Sequence, residues 1–307
     1  MTIRNPVEWS LAQLNQTMHA AGTVGTSLYH DEDADLAQSI PINRIGLADL
    51  RDALARGLED FVSNRSDIIF VALIYPLAGL VLSQIAVGYS MLPILFPLVS
   101  GFALLGPFAA TGLYEVSRRR ERGESVSWVE AFSVFRSPAF GSIVLLGAIV
   151  VGFFFVWLLV AMSIYTVTLG PDYPVSARAF LHDVFTTPAG WALIGIGSGV
   201  GFVFALVALA ATSISFPLLL DRNVGVMAAI TASIRAFFRN PLTMLAWGVI
   251  VTAALIVGSV PLLVGLVVVM PVLGHATWHL YRRITGTEIP RPLTAAAPEA
   301  AWQDRSR

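Results

Sequence analysis

Long apolar runs alternate along this chain with short amphipathic stretches, and each stretch leads into a run. From Gly46 to Asn64, Leu47, Leu50, Leu54, Leu58 and Phe61 recur at three- and four-residue steps, while Arg51, Asp52, Arg56, Glu59 and Asp60 fill the other face. That period predicts an amphipathic helix, and its place beside an apolar run puts it in the lipid headgroup region. Apolar runs follow at about Asp67 to Tyr89, Leu92 to Val116, Phe140 to Val167 and Gly190 to Leu220. Residues 242–281 are too long for one crossing, which takes ~20 residues. Gly258-Ser259-Val260-Pro261 divides them, giving six predicted transmembrane helices.

Two later amphipathic stretches repeat the first. One carries Trp128, Val129, Phe132 and Phe135; the other carries Met227, Ile230, Ile234, Phe237 and Phe238. The three runs behind them open at Asn64-Arg65, Ser137-Pro138 and Asn240-Pro241. The unit is interfacial helix, span, turn, span, used three times. Common ancestry and convergent use of span-boundary chemistry both produce such a threefold internal repeat. The second span of each unit contains a proline, Pro107, Pro217 or Pro271, and each predicts a helix bend because proline lacks the N–H of the i→i−4 ladder. The clearest copy of the hinge is Ser215 to Pro241, where Asp221-Arg222 ends one run and Asn240-Pro241 launches the next.

Composition fixes the solvent. The 307 residues are 56% apolar and 13% charged, against about 25% charged in soluble domains. The predicted fold class is therefore all-α, a polytopic membrane helix bundle with interfacial amphipathic helices. Residues 44–285 form the six-span domain, between a disordered polar tail at 1–43 and another at 286–307. No apolar segment of signal-peptide type follows a basic start. Every one of the 19 basic residues is Arg. Arg118, Arg119, Arg120, Arg122, Arg222, Arg235, Arg239, Arg282 and Arg283 lie on one side of the predicted spans, with both tails, whereas the opposite loops carry only Arg178. The positive-inside rule then places both termini in the cytoplasm.

Candidate chemistry is sparse. With no Cys, disulfides, thiolate nucleophiles and thiolate metal sites are excluded. His275 and His279 share a helix face, and Glu115 and Asp221 end spans on the same side. Two histidines and two carboxylates could hold a metal. The alternative is interfacial pairing with Arg118, Arg222 and Arg282, and the expectation is no metal and no cofactor. Two histidines on one helix face cannot be opposing axial ligands of one haem iron. Gly195, Gly197, Gly199 and Gly201 form overlapping small-xxx-small pairs that read as helix packing, since a phosphate loop needs a strand–turn–helix context. No ionisable residue lies near the centre of a span. Only Gln84, Ser100, Ser163, Ser198, Thr212, Ser213 and Thr252 offer polar groups there. No Ser–His–Asp set, HExxH or Walker loop is visible.

Several segments resemble a known family of bacterial integral membrane proteins, domain-of-unknown-function family 2189. They are Gly101 to Phe108, Gly112 to Arg119, Phe185 to Trp191, Ser215 to Arg222, Asn240-Pro241 with Trp247-Gly248, and Pro271 to Arg282, over about residues 40–285. The resemblance implies a proteobacterial inner-membrane protein and implies no activity. The leading expectation is a non-enzymatic membrane protein that packs against the lipid bilayer, other membrane proteins or copies of itself, with no nucleic acid. The alternative is a channel or carrier for a small, mostly uncharged solute, lined by the proline-bent spans.

Overall fold

The computed structural model describes residues 37–63, 92–124, 132–172, 174, 176–222, 224–260 and 264–286. The expected first span, the start of the second amphipathic stretch and most of both tails lie outside them. The described residues are helical and contain no strand. Helix α1 is Leu47–Ser63, α2 Leu92–Phe102, α3 Gly106–Ala109 and α4 Thr111–Glu121. After a 3₁₀ turn at Phe132–Arg136 come α5 Phe140–Thr168, α6 Ala177–Thr186, α7 Pro188–Thr212, α8 Ser215–Asp221, α9 Val226–Arg239, α10 Pro241–Ser259 and α11 Leu266–Thr285.

Among the described residues, four stretches are long and apolar enough to cross a membrane: Leu92–Glu121, Phe140–Thr168, Pro188–Asp221 and Pro241–Ser259. Helix α11 follows the expected turn after Ser259 and is not among these four. Its second half carries His275, His279, Arg282 and Arg283 and is buried among other helices, so the expected sixth span is only partly apolar. Pro107 lies where the second span breaks, between a 3₁₀ turn at Ala103–Leu105 and α4. Pro217 lies just past the break between α7 and α8. Pro271 sits inside α11, which is assigned as one helix from end to end. Local chemistry sets the other ends. Thr187 accepts from the Gly190 N–H and Pro188 opens α7, while Gly286, at φ 65°, closes α11 in the left-handed region that glycine adopts freely.

The core does not lie in the apolar layer. Only 6% of the apolar window of Leu92–Glu121 and of Pro188–Asp221 is buried, and 33% of that of Phe140–Thr168. In α5 the buried residues Ile143, Leu146, Gly147, Val150, Phe154, Trp157 and Ala161 form one stripe, and α2 and α7 pack against this helix. Burial is concentrated instead where the spans end. There α1, α4, α8, α9 and the second half of α11 close a hub around Tyr114, Phe216, Leu218, Leu219, Trp278, Leu280 and Tyr281. Residues 37–43, which the sequence assigns to the tail, contribute buried Ala37, Ile40 and Ile42 to it.

The amphipathic helices dock by their small faces. In α1 the buried positions are Leu50, Ala53, Gly57 and Asp60, whereas Leu47 and Leu58 of the expected apolar stripe are 69% and 49% exposed. Helix α9 buries Ala229, Ala232, Ser233 and Ala236 and leaves Met227, Ile234 and Phe238 outward. The physical reason is that close helix contact favours small residues, and large apolar side chains lose nothing by facing lipid.

Candidate functional site

Asp60 is the centre of the hub's polar network. The 3.6-residue period carries it onto the buried side of α1, where it is 4% exposed. Its Oδ2 accepts from the Ser117 hydroxyl of α4 at 2.7 Å and lies 2.8 Å from His279 Nε2 of α11. Its Oδ1 lies 3.3 Å from Arg120 Nε. His275, fully buried, places Nδ1 2.7 Å from the same Ser117 oxygen. Burial alone would raise the Asp60 carboxyl. The His279 hydrogen bond, the nearby His279 and His275 and the Ser117 hydrogen bond outweigh it and hold the group below its ordinary value of 3.8.

A serine, two histidines and an aspartate therefore converge, but in an order unlike a nucleophilic triad. The ionised carboxylate can only accept, so the single Ser117 proton points at Asp60 and His275 Nδ1 donates to the serine oxygen. The Ser117 proton is held by Asp60 and not by a histidine, and at 1% exposure Ser117 is closed to a substrate. The arrangement joins three helices. Arg120 extends the join, since its Nη1 and Nη2 donate to Glu59 O, Asp60 O and Ser63 Oγ at the end of α1, where a cation favours the exposed carbonyls.

Three further clusters complete the hub. Arg282 bridges Glu121 of α4 at 3.0 Å and Asp221 of α8 at 3.2 Å, with Tyr281 donating to Asp221 at 2.7 Å and Trp278 to Glu121 at 3.3 Å. Glu115 lies 2.6 Å from Arg118 and 2.7 Å from Arg119, and accepts from Ser133. Asn240 accepts from the Ile45 N–H at 2.8 Å and donates to Asn43 O at 3.0 Å, while Asn43 N donates to Ile284 O. These bonds lace residues 43–45 between α10 and the end of α11. Ser137, the matching residue of the previous unit, instead accepts locally from Ala139 N.

The four metal candidates do not meet as one set. His275 and His279 belong to the Asp60 network, Glu115 is neutralised by two arginines, and Asp221 is paired with Arg282 and accepts from Tyr281. No group of three or more metal-ligating side chains is present among the described residues. Of the glycine ladder, Gly201 approaches Trp157 of α5, while a Cβ on Gly195, Gly197 or Gly199 would meet nothing within 4 Å. Tighter crossings lie elsewhere. A Cβ on Gly57 would stand 2.7 Å from Ala276 N and Val272 O, and one on Gly274 2.6 Å from Leu113 Cδ1. Sequence reasoning missed Gly57, Gly274, Ser117 and Glu121 as organising residues. The available signal was the small-residue series Ala53, Gly57, Asp60 on one helix face.

The depressed Asp60 carboxyl makes the hub acid-sensitive. Its contribution is full above pH 3.8 and is lost as pH falls through the lower, folded-state value. Unfolding followed from about pH 5 to pH 2.5 should show an acid-side loss of stability that is smaller in Asp60→Asn, which has no charge to lose. Equal acid loss in both proteins would remove Asp60 as its source.

Residues 95–221 match the model of a family described as a predicted integral membrane protein, DUF2189. The match runs from α2 to the end of α8 and is narrower than the 40–285 read from the sequence segments. No curated protein and no solved structure matches the chain.

Proposed function

With that membrane-protein family as the premise, we propose that this chain is a non-enzymatic protein of the bacterial inner membrane. Both termini are cytoplasmic, and six spans in three units carry the hub against the membrane face. It acts by packing against lipid and membrane partners, in assembly or envelope maintenance.

One observation supports this over a carrier. Five hydroxyls in the apolar layer are spent on their own helices: Ser163 on Leu159 O, Thr166 on Met162 O, Thr212 on Ala208 O, Thr252 on Gly248 O and Ser259 on Leu255 O. That is how a hydroxyl is satisfied in lipid, and it leaves the donor unavailable to a solute. Ser213 meets Ser233 of α9 at 3.1 Å, and Ser100 is bonded to Pro97 O. The alternative, a channel or carrier for a small, mostly uncharged solute, requires water to reach these positions.

The cysteine-free chain permits a direct test. Single cysteines at Ser100, Thr212 and Ser213 should stay silent to a water-soluble thiol reagent, while one at the exposed Glu124 reacts. Labelling at Thr212 or Ser213 at the Glu124 rate would defeat the packing reading in favour of the carrier.

A further inference from the structure

A cleft of about 450 Å³ opens at the membrane-side edge of the hub, where three apolar stretches have their ends. Arg118 and Arg119 come from the last turns of α4, Ser133 and Arg136 from the 3₁₀ turn, Ser137 from the entry to α5, and Arg222 from the end of α8. Glu115 and Asp221 also line it. Their charges are already committed, Glu115 to Arg118 and Arg119 and Asp221 to Arg282. Arg136 and Arg222 have no ion pair among the described residues. Four arginines against two carboxylates leave the cleft with a net charge of +2.

The cleft is built rather than a loose basic surface. Arg118 clamps its two sides together, donating from Nη1 to Leu220 O of α8 at 2.9 Å and lying 2.6 Å from Glu115. Arg118 Nε is buried with no hydrogen-bond partner. A buried N–H without an acceptor is costly, and Glu115 Oε2 is likewise buried without a hydrogen-bond partner. Phe135, next to Arg136 in the same 3₁₀ turn, is 62% exposed and edge-on to Phe140 at 5.3 Å.

We propose that this cleft binds the phosphate of an anionic phospholipid headgroup, with Arg136 and Arg222 as the principal donors and Phe135 against the glycerol and upper acyl chains. Guanidinium groups match phosphate oxygens in a fork geometry, and basic pockets at the cytoplasmic ends of membrane helices suit anionic headgroups. The zwitterionic lipids carry a cation on the same headgroup, which the arginines repel. This inference rests on the membrane-packing reading. The thiol-labelling result can stand or fall without it, so the two failures are distinguishable.

The test uses the full chain in detergent, titrated with phosphatidylglycerol, phosphatidylcholine or inorganic phosphate. Native mass spectrometry counts retained lipid and thermal melting reports stabilisation. Phosphatidylglycerol should bind at least about tenfold tighter than phosphatidylcholine. The double variant Arg136→Gln/Arg222→Gln should lose that binding by about thirtyfold, from ~1 kcal/mol for each arginine. The equally charge-reduced control Arg44→Gln/Arg51→Gln, at exposed positions outside the cleft, should change it by less than about threefold. Should the double variant fold poorly, Arg136→Gln alone serves, since Arg136 is exposed, with an expected loss of about fivefold. No preference for phosphatidylglycerol in the unaltered protein overturns the proposal. So does equal loss in the cleft and control variants. Stabilisation by inorganic phosphate alone that matches the lipid's would assign the site to a soluble anion and overturn the lipid assignment.

Discussion

Asp60→Ala should cost about 3 kcal/mol of unfolding free energy, the low end of the range for removing one partner of a buried charge pair. The expectation follows from what is left behind. His279 is 12% exposed at its side chain and loses its carboxylate, and Ser117 loses its acceptor. Arg120 is 30% exposed and can turn to water, which keeps the cost from reaching the top of that range. The comparison is Asp52→Ala on the same helix. Asp52 is paired with Arg56 and Arg283, yet it is 39% exposed at its side chain. Surface pairs of that kind are worth about 1 kcal/mol or less. Melting of both variants in one detergent checks the ranking. Equal costs would mean that Asp60 is no better buried than Asp52.

Gly57→Val should be at least as damaging, at about 3 kcal/mol or more, because the atoms in its way are backbone. A Cβ at position 57 would approach Ala276 N and Val272 O at 2.7 Å and Ala276 Cβ at 2.8 Å. No rotamer change relieves those contacts, so α1 must move off α11 and draw Asp60 away from His279. Gly57→Ala meets the same atoms and should also destabilise, despite a gain in helix propensity of ~1 kcal/mol. Gly195→Ala should have the opposite sign, since its Cβ would enter open space and the propensity gain remains. Thermal melting of the three variants decides it. Greater harm from Gly195→Ala than from Gly57→Ala would place the critical helix contact on the glycine ladder.

The contrast between these glycines shows what the sequence carries. Span boundaries are written locally, in apolar length and in Thr187-Pro188 or Asn240-Pro241, and α5 at Phe140–Thr168 falls within a residue of its expected end at Val167. The apolar stripes of α1 and α9 are equally legible, but they face the hub only in part: Leu50 is buried, while Leu47, Leu58, Met227 and Phe238 turn outward. In lipid a large apolar face is no guide to the protein core, because hydrocarbon solvates it as well as another helix does. By residue type Asp60 reads as one more polar residue of α1, although its spacing from Leu50, Ala53 and Gly57 puts it on the buried face. Its burial is fixed by Ser117, 57 residues away, and His279, 219 residues away. Asp221 and Glu115 were easier, since arginine partners at span ends are routine and Glu115 finds two within one helical turn. The lacing of residues 43–45 by Asn240 spans 195 residues or more, and nothing in either segment announces it.

The central claim is that α1, α4 and α11 are locked together at the membrane face through one buried carboxylate. A double-mutant cycle on Asp60→Asn and His279→Gln, read by equilibrium unfolding of the full chain in detergent, tests it most directly. Residues in direct contact within a buried network couple by about 0.5–3 kcal/mol, and the 2.8 Å contact between largely buried groups predicts about 2 kcal/mol here. Additive costs, within about 0.5 kcal/mol, would mean that α1 does not dock on α11 in this register, and the hub as described would not exist.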